Sequence, residues 1–309
     1  MYAVEVKNLS KSFGDLKAVN DISFNVSEGS VFGLLGRNGA GKTTTIRMMM
    51  NIYEPDEGEV LIRGVKMGQD FRNQVGYLPE ERGLYKKMKV LDTILYFAEL
   101  KGKRNKETEK RAQRYLDIFQ LADRKNSKIE ELSKGNQQKV QFILTVLHEP
   151  EFIILDEPFS GLDPVNTDLL MDLILELKNK GKIIILCTHL MDFAERMCDH
   201  IVLIDNGEKI LDGALRDIKE KHSEGNIFLE YKGNISFIKD LNFVEKFEDF
   251  GNTANIKVNG NDKIQTILKL ALDNNVEINK FNANDISLHE IFVSLTGYDE
   301  KSKRRMLNV

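Results

Sequence analysis

The residues best suited to chemistry fall in two short segments. The first, Gly36-Arg37-Asn38-Gly39-Ala40-Gly41-Lys42-Thr43, fits the pattern G-x-x-x-x-G-K-[ST]. Gly36, Gly39 and Gly41 let the backbone curl, so that N–H groups along the turn, those of Asn38 and Ala40 included, face a chain of phosphates. A helix follows and presents its positive end to the same charge. Lys42 is expected to reach the β- and γ-phosphates, Thr43 to ligate Mg2+ through its hydroxyl, and Thr44 to reach the α-phosphate. The second segment, Phe152-Ile153-Ile154-Leu155-Asp156-Glu157-Pro158, is an apolar strand ending in two acids. It would deliver Asp156 to the Mg2+ shell at its carboxyl end, where ligands sit in open α/β sheets. Glu157 follows and is placed to polarise an attacking water. Together the two segments imply a Mg2+-dependent nucleoside triphosphatase and nothing narrower.

Such residues need a scaffold of strands and helices. Val31-Phe32-Gly33-Leu34-Leu35 has the length and apolarity of a buried strand, and Thr44 to Met50 has a helical pattern. Met48-Met49-Met50 fits the packed side of that helix better than a ligand cluster. From Leu84 to Leu147 the pattern is helical and charged, with Lys101 to Arg114 a solvated connector and helix face. Strand patterns return at Phe152 to Leu155, Ile183 to Cys187 and Ile201 to Ile204, with helical stretches such as Leu169 to Asn179 between them. This alternation predicts an α/β fold with a largely parallel sheet covered on both faces. A boundary falls near Lys219 to Gly225. Beyond it, strands are expected at Ile227–Tyr231, Asn255–Val258 and Val276–Phe281, and helices at Ile235–Asn242, Lys263–Asn274 and Ser287–Leu295. That order suits a small α+β domain, with a ferredoxin-like fold as one candidate.

Composition bounds the function. With 41% hydrophobic and 30% charged residues in 309, the chain is an ordinary globular protein. A net charge of -4 argues against a dedicated nucleic-acid binder, which would carry a basic excess. Cys187 and Cys198 lack metal-site spacing and are expected to be reduced and structural. No run is long and apolar enough to span a bilayer, and Met1-Tyr2-Ala3-Val4-Glu5-Val6 alternates like a strand rather than forming a signal-peptide core. His148, His200, His222 and His289 have no motif around them.

Further motifs narrow the class. Leu132-Ser133-Lys134-Gly135-Asn136-Gln137-Gln138 precedes the aspartate strand and resembles the LSGGQ signature of ABC ATPases. Ser160-Gly161-Leu162-Asp163, directly after the paired acids, and Thr188-His189, just after the strand ending at Cys187, match the same family. Phe13 sits where the family places an adenine-stacking aromatic, and Val75-Gly76-Tyr77-Leu78-Pro79-Glu80 falls where its glutamine loop falls. The ordered set covers residues from about 4 to 215.

The resemblance implies an ATPase with a β-subdomain, a parallel-sheet core and a helical subdomain at about 84–147, together forming a nucleotide-binding domain at 1–218. It implies that two subunits, as a homodimer, sandwich two ATPs head to tail. Ser133, Gly135, Asn136 and Asp163 would then serve the ATP held by Lys42 of the opposite protomer, and His189 would contact the γ-phosphate and hold water and Glu157 in line. Glu80 would ligate Mg2+. Transmembrane permease subunits would provide the pore, with this chain at the cytoplasmic face of the membrane. Two departures stand out. Lys134 and Asn136 replace glycine and glutamine in the signature; Lys134 either adds positive charge near the phosphate or points to solvent. Glu80 replaces glutamine; a carboxylate also ligates Mg2+ but adds negative charge beside the triphosphate.

Gly76 to Val90 and Ser287 to Val293 resemble a subgroup of bacterial ABC ATPases with an added C-terminal domain, linked to export of sodium, antibiotics or peptides. The corresponding domain here is 225–297. A basic tail, 298–309, either touches anionic lipid or is a solvated end. A soluble, non-transport ABC ATPase is the alternative reading. Against it, Lys101 to Arg114 is too short for the coiled coil of repair ATPases, and one phosphate cradle is found where translation factors carry two.

Overall fold

The computed structural model describes residues 2–66, 74–81, 83–283 and 286–297. The basic tail lies outside the described residues. Internal packing divides the chain into two units, with the break between Gly213 and Ala214.

The first unit is built on two sheets. One is antiparallel, in the order β2-β1-β4-β5. Its long hairpin, β1 (Tyr2–Phe13) and β2 (Leu16–Ser27), is followed later by β4 (Glu57–Ile62) and β5 (Val65–Lys66). The other sheet has six strands, β10-β9-β3-β8-β7-β6. These are β3 (Val31–Leu35), β6 (Val75–Leu78), β7 (Phe152–Asp156), β8 (Ile183–Thr188), β9 (His200–Asp205) and β10 (Glu208–Ala214). Strands β3, β7 and β8 are buried along their whole length, as expected where helices cover both faces of a parallel sheet. A core of aliphatic side chains joins the two sheets, with Phe24 of β2 stacked on Phe32 of β3 at 5.1 Å.

The parallel register decides where chemistry can sit. Leu35 pairs with Thr188, Cys187 with Asp156, and Leu155 with Leu78. Four carboxyl ends are thus level, and each releases a motif: the glycine turn after β3, the two acids at β7, Thr188-His189 at β8 and Pro79-Glu80 after β6. Asn206 and Gly207, both with positive φ, close the β9–β10 hairpin beside them.

Helix α1 (Lys42–Met49) follows the glycine turn. Helices α2 (Val90–Leu100), α3 (Lys106–Ile118) and α4 (Lys134–Val146) make up the helical region. Asn105 caps α3 by accepting from the Thr108 N–H at 2.9 Å, which ends the polar connector before it. α4 packs on β6 so closely that a Cβ on Gly76 would lie 2.1 Å from the Thr145 carbonyl oxygen. Asp163 caps α5 (Pro164–Asn179), with Pro164 in its first turn, and α6 (Met191–Met197) follows β8.

The second unit starts with α7 (Leu215–Ser223) and contains an antiparallel sheet, β12-β13-β11-β14. Its strands are β11 (Asn226–Lys232), β12 (Val244–Asp249), β13 (Thr253–Val258) and β14 (Glu277–Ala283). α8 (Asp262–Asp273) links β13 to β14, and α9 (Leu288–Thr296) closes the unit. β11 lies between β13 and β14, the split arrangement of a ferredoxin-like sheet. Two sequence expectations need correction. Ile235–Asn242 is not a full helix but a 3-10 turn at Ser236–Asp240, started by Asn234, whose side chain accepts the Ser236 N–H at 2.8 Å. β12 was not anticipated, because its sequence, Val-Glu-Lys-Phe-Glu-Asp, carries the charges of an edge strand and little alternation.

Both cysteines are free and buried. Among the described residues no helix is long and apolar enough to cross a membrane. The close approach of α4 to β6 gives a stability test. Gly76→Ala should destabilise the protein by about 1–3 kcal/mol through backbone displacement, read from urea denaturation; an unchanged midpoint would mean that β6 and α4 can separate freely.

Candidate active site

Gly41 has φ 107, and a Cβ there would lie 2.4 Å from the Ala18 carbonyl oxygen on β2; one on Gly36 would lie 2.2 Å from that of Ile204. Only glycine lets the turn pass so near both strands. The turn is braced from its other side, where the Gly207 N–H donates to the Ala40 carbonyl at 3.0 Å. Gly41 also opens α1 without a side-chain cap, and no acid occupies the helix's first turn. That end of the helix suits an anion.

A cavity of about 470 Å³ opens over this turn. Phe13, Asn38, Gly39, Gly41, Lys42, Thr43, Thr44, Glu80, Asp156 and Glu157 all line it, from four separate stretches of the sequence. Phe13 stands at the β1–β2 hairpin tip, 45% exposed, edge-on to Tyr53 at 5.5 Å. Gly36 and Ala40 belong to the same turn without lining the cavity. Leu16, Lys17, Ala18, Arg37, Asn206 and Gly207 also line the cavity and were not anticipated; the Asn-Gly pair was the available signal.

Lys42 is buried, and its Nζ donates to the carbonyls of Gly36 at 2.8 Å and Arg37 at 3.0 Å. The Thr43 hydroxyl donates to Asp156 Oδ2 at 3.1 Å. Asp156 Oδ1 is buried and, among the described residues, has no hydrogen-bond partner. A buried carboxylate oxygen left open beside a hydroxyl fits a hard cation such as Mg2+ that takes few protein ligands. Burial is the main cause that raises the Asp156 pKa; hydrogen bonds from Cys187 and Thr43 pull it back in part, and the neighbouring Glu157 raises it further.

Glu157 is buried and takes a left-handed backbone, φ 49, uncommon for a residue with a Cβ. Its N–H donates to the Cys187 carbonyl at 2.9 Å. Oε2 accepts from the Thr188 hydroxyl at 3.0 Å, and Oε1 accepts from the His189 N–H at 3.0 Å. His189 Nδ1 lies 2.6 Å from the same Oε1. Glu157 and His189 are thus brought together as the sequence suggested. Thr188, fully buried, is the orienting group that sequence reasoning passed over, although it is adjacent to His189.

Ser133, Gly135, Asn136 and Asp163 do not line the cavity. Ser133 caps α4 and accepts the Asn136 N–H at 3.2 Å. Gly135 abuts the loop before Asp163, since a Cβ there would lie 2.9 Å from the Gly161 carbonyl. Hydrogen bonds from Asn166 hold the exposed Asp163 carboxyl below its usual pKa. Lys134 is exposed at the first turn of α4. The second unit has its own cavity of about 390 Å³, lined by His222, Lys257 and Glu290 among others, with none of these motifs.

With its pKa raised, Asp156 contributes fully to stability only below the pKa of the unfolded chain. That contribution fades as pH climbs through the folded value, so at neutral pH the ionised side chain is a cost. Asp156→Asn should therefore raise the thermal midpoint of the nucleotide-free protein at neutral pH, with a smaller gain in mildly acidic buffer. A lowered midpoint at neutral pH would contradict this account of the carboxylate.

A family model described as ABC transporter matches residues 19–160, and one for the C-terminal domain of DrrA1-3-like ATP-binding proteins matches 213–296. Similar proteins include YhaQ, an uncharacterized ABC transporter ATP-binding protein of Bacillus subtilis, 40% identical over 292 residues, 94% of this chain and 98% of its own. Nod factor export ATP-binding protein I of a Rhizobium species is 31% identical over 258 residues, 81% of this chain and 84% of its own. Among solved structures, the dimeric bacterial ABC transporter cassette MJ0796 is 26% identical, with a TM-score of 0.62 over 69% of this chain and 99% of its own. Motifs, fold and relatives agree, and the chain belongs to the ATP-binding proteins of ABC transporters.

Proposed function

We propose that this chain is the ATPase of an exporter, working as a Mg2+-dependent homodimer at the cytoplasmic face of the membrane on separate transmembrane permease subunits. The observation that carries the reading is the convergence on one cavity of a phosphate cradle, an open buried carboxylate oxygen and an oriented glutamate. In this reading Lys42 turns from two loop carbonyls to the β- and γ-phosphates, and Phe13 stacks on adenine. Thr43 and Asp156 would hold Mg2+, with Glu80 reaching in from the end of β6. Mg2+ bound there would offset charge on the phosphate oxygens. Glu157 polarises the attacking water, its two oxygens fixed by Thr188 and His189 so that little reorganisation is needed in the transition state.

Dimerisation is supported by the separation of Ser133, Gly135, Asn136 and Asp163 from the cavity of their own chain. These residues would meet the phosphates held by the partner protomer, with Lys134 adding positive charge beside the helix end. A related cassette is dimeric. Export is supported by a relative named for Nod factor export and by the DrrA-like C-terminal domain.

Two variants separate the steps. Glu157→Gln should bind ATP yet lose turnover by about 10²–10⁴-fold, and accumulate as a dimer in MgATP by light scattering. Turnover at the wild-type rate would remove Glu157 from its role. Lys42→Ala should lose ATP binding in a fluorescent-nucleotide titration; retained tight binding would refute the cradle.

A further inference from the structure

We infer that Gln141 of α4 is a positioning residue that holds Glu80 in the nucleotide cavity and so ties the signature helix to the cradle of its own chain. The inference rests on the ATPase reading above. Gln141 is 4% exposed. Its Nε2 donates to the Pro79 carbonyl at 3.1 Å and, more weakly, to the Glu81 carbonyl at 3.4 Å. These are the carbonyls on either side of Glu80. One planar amide thus pins the backbone before and after Glu80, whose side chain lines the cavity with Lys42, Thr43, Asp156 and Glu157.

A carboxylate needs such restraint more than a carboxamide. Glu80 lines the same cavity as the acids Asp156 and Glu157, and a bound triphosphate would add further negative charge. Like charges repel, and an exposed loop is free to swing its carboxylate outward. Fixing the backbone on both sides opposes that swing.

The fold satisfies only the donor half of this amide. Gln141 Oε1 is buried and, among the described residues, unpartnered. That cost is borne where the donor half bonds the two carbonyls flanking Glu80. The same helix face repeats the device one turn earlier. Gln138, 1% exposed, donates through Nε2 to the Pro158 carbonyl at 2.9 Å, directly after Glu157, and its Oε1 is likewise buried without a partner. A helix that opens at Ser133 therefore reaches both acid-bearing loops through buried amides.

The test is a double-mutant cycle in the full-length protein, combining Gln141→Leu with Glu80→Ala. It is read in kcat for MgATP, in affinity for a fluorescent ATP analogue without Mg2+, and in hydrogen exchange of the peptide 75–81. Gln141→Leu should lower kcat about tenfold, leave Mg2+-free affinity within about twofold and speed exchange in that peptide. In the Glu80→Ala background it should cause no further loss of kcat. Gln141→Asn, too short to span both carbonyls, should act in the same direction and replaces the leucine variant if that one does not fold. Additive losses in the cycle, or unchanged kcat and exchange, overturn the inference. Failure of the ATPase reading itself would show elsewhere, as equal turnover in wild type and Glu157→Gln.

Discussion

A carboxylate carried into a protein interior is costly unless it is paired or hydrogen-bonded, and β7 delivers two in succession to its carboxyl end. Much of the first unit can be understood from how it treats them. Glu157 receives three contacts, from the Thr188 hydroxyl, the His189 N–H and the His189 ring, which together occupy both of its oxygens. Asp156 receives side-chain bonds from Thr43 and Cys187 but keeps Oδ1 open. Adjacent residues of the same charge are thus prepared for different work. Glu157 is oriented, while Asp156 is left short of partners where a cation would supply the missing one. The parallel sheet makes this possible, because register brings the ends of β8 and β3 level with that of β7.

The helix α4 is the second organising element. Its amino end carries Ser133 and Gly135, outside the cavity. Its buried face holds the loops of Glu157 and Glu80 through Gln138 and Gln141, and packs on β6 without room for a Cβ at Gly76. In the proposed dimer, contact between Ser133 and the partner's nucleotide would act on one end of a rigid rod whose other contacts reach both acid loops. A ligand can shift such an arrangement only through contacts that differ between its states. In that proposed dimer, the contacts made across it would be the ones that differ.

The cradle was legible in the sequence because it is local. Gly36 to Thr43 and Phe152 to Glu157 each carry their pattern in consecutive residues, and burial of β3 and β7 follows from their apolar runs. Thr188, Gln138 and Gln141 were not legible, for a physical reason. Their partners lie 20 to 62 residues away, and contact depends on strand register and helix rotation that no short pattern encodes. In the second unit, the alternation of β11 and β13 is strong and both strands were foreseen. β12 was hidden by its charges, and its neighbouring 3-10 turn is too short for a helical period to be told from chance.

Glu80 brings these levels together. By residue type alone it is a poor companion for two other carboxylates. Its loop leaves β6 level with β7, since Leu78 pairs with Leu155, so the fold directs it to the same cavity. A side chain that adds negative charge there would be expelled from an unrestrained loop. It stays because the backbone on both sides is bonded to a helix that is itself anchored on β6. The substitution that looks least favourable in the sequence is therefore flanked by two backbone carbonyls bonded to one buried amide.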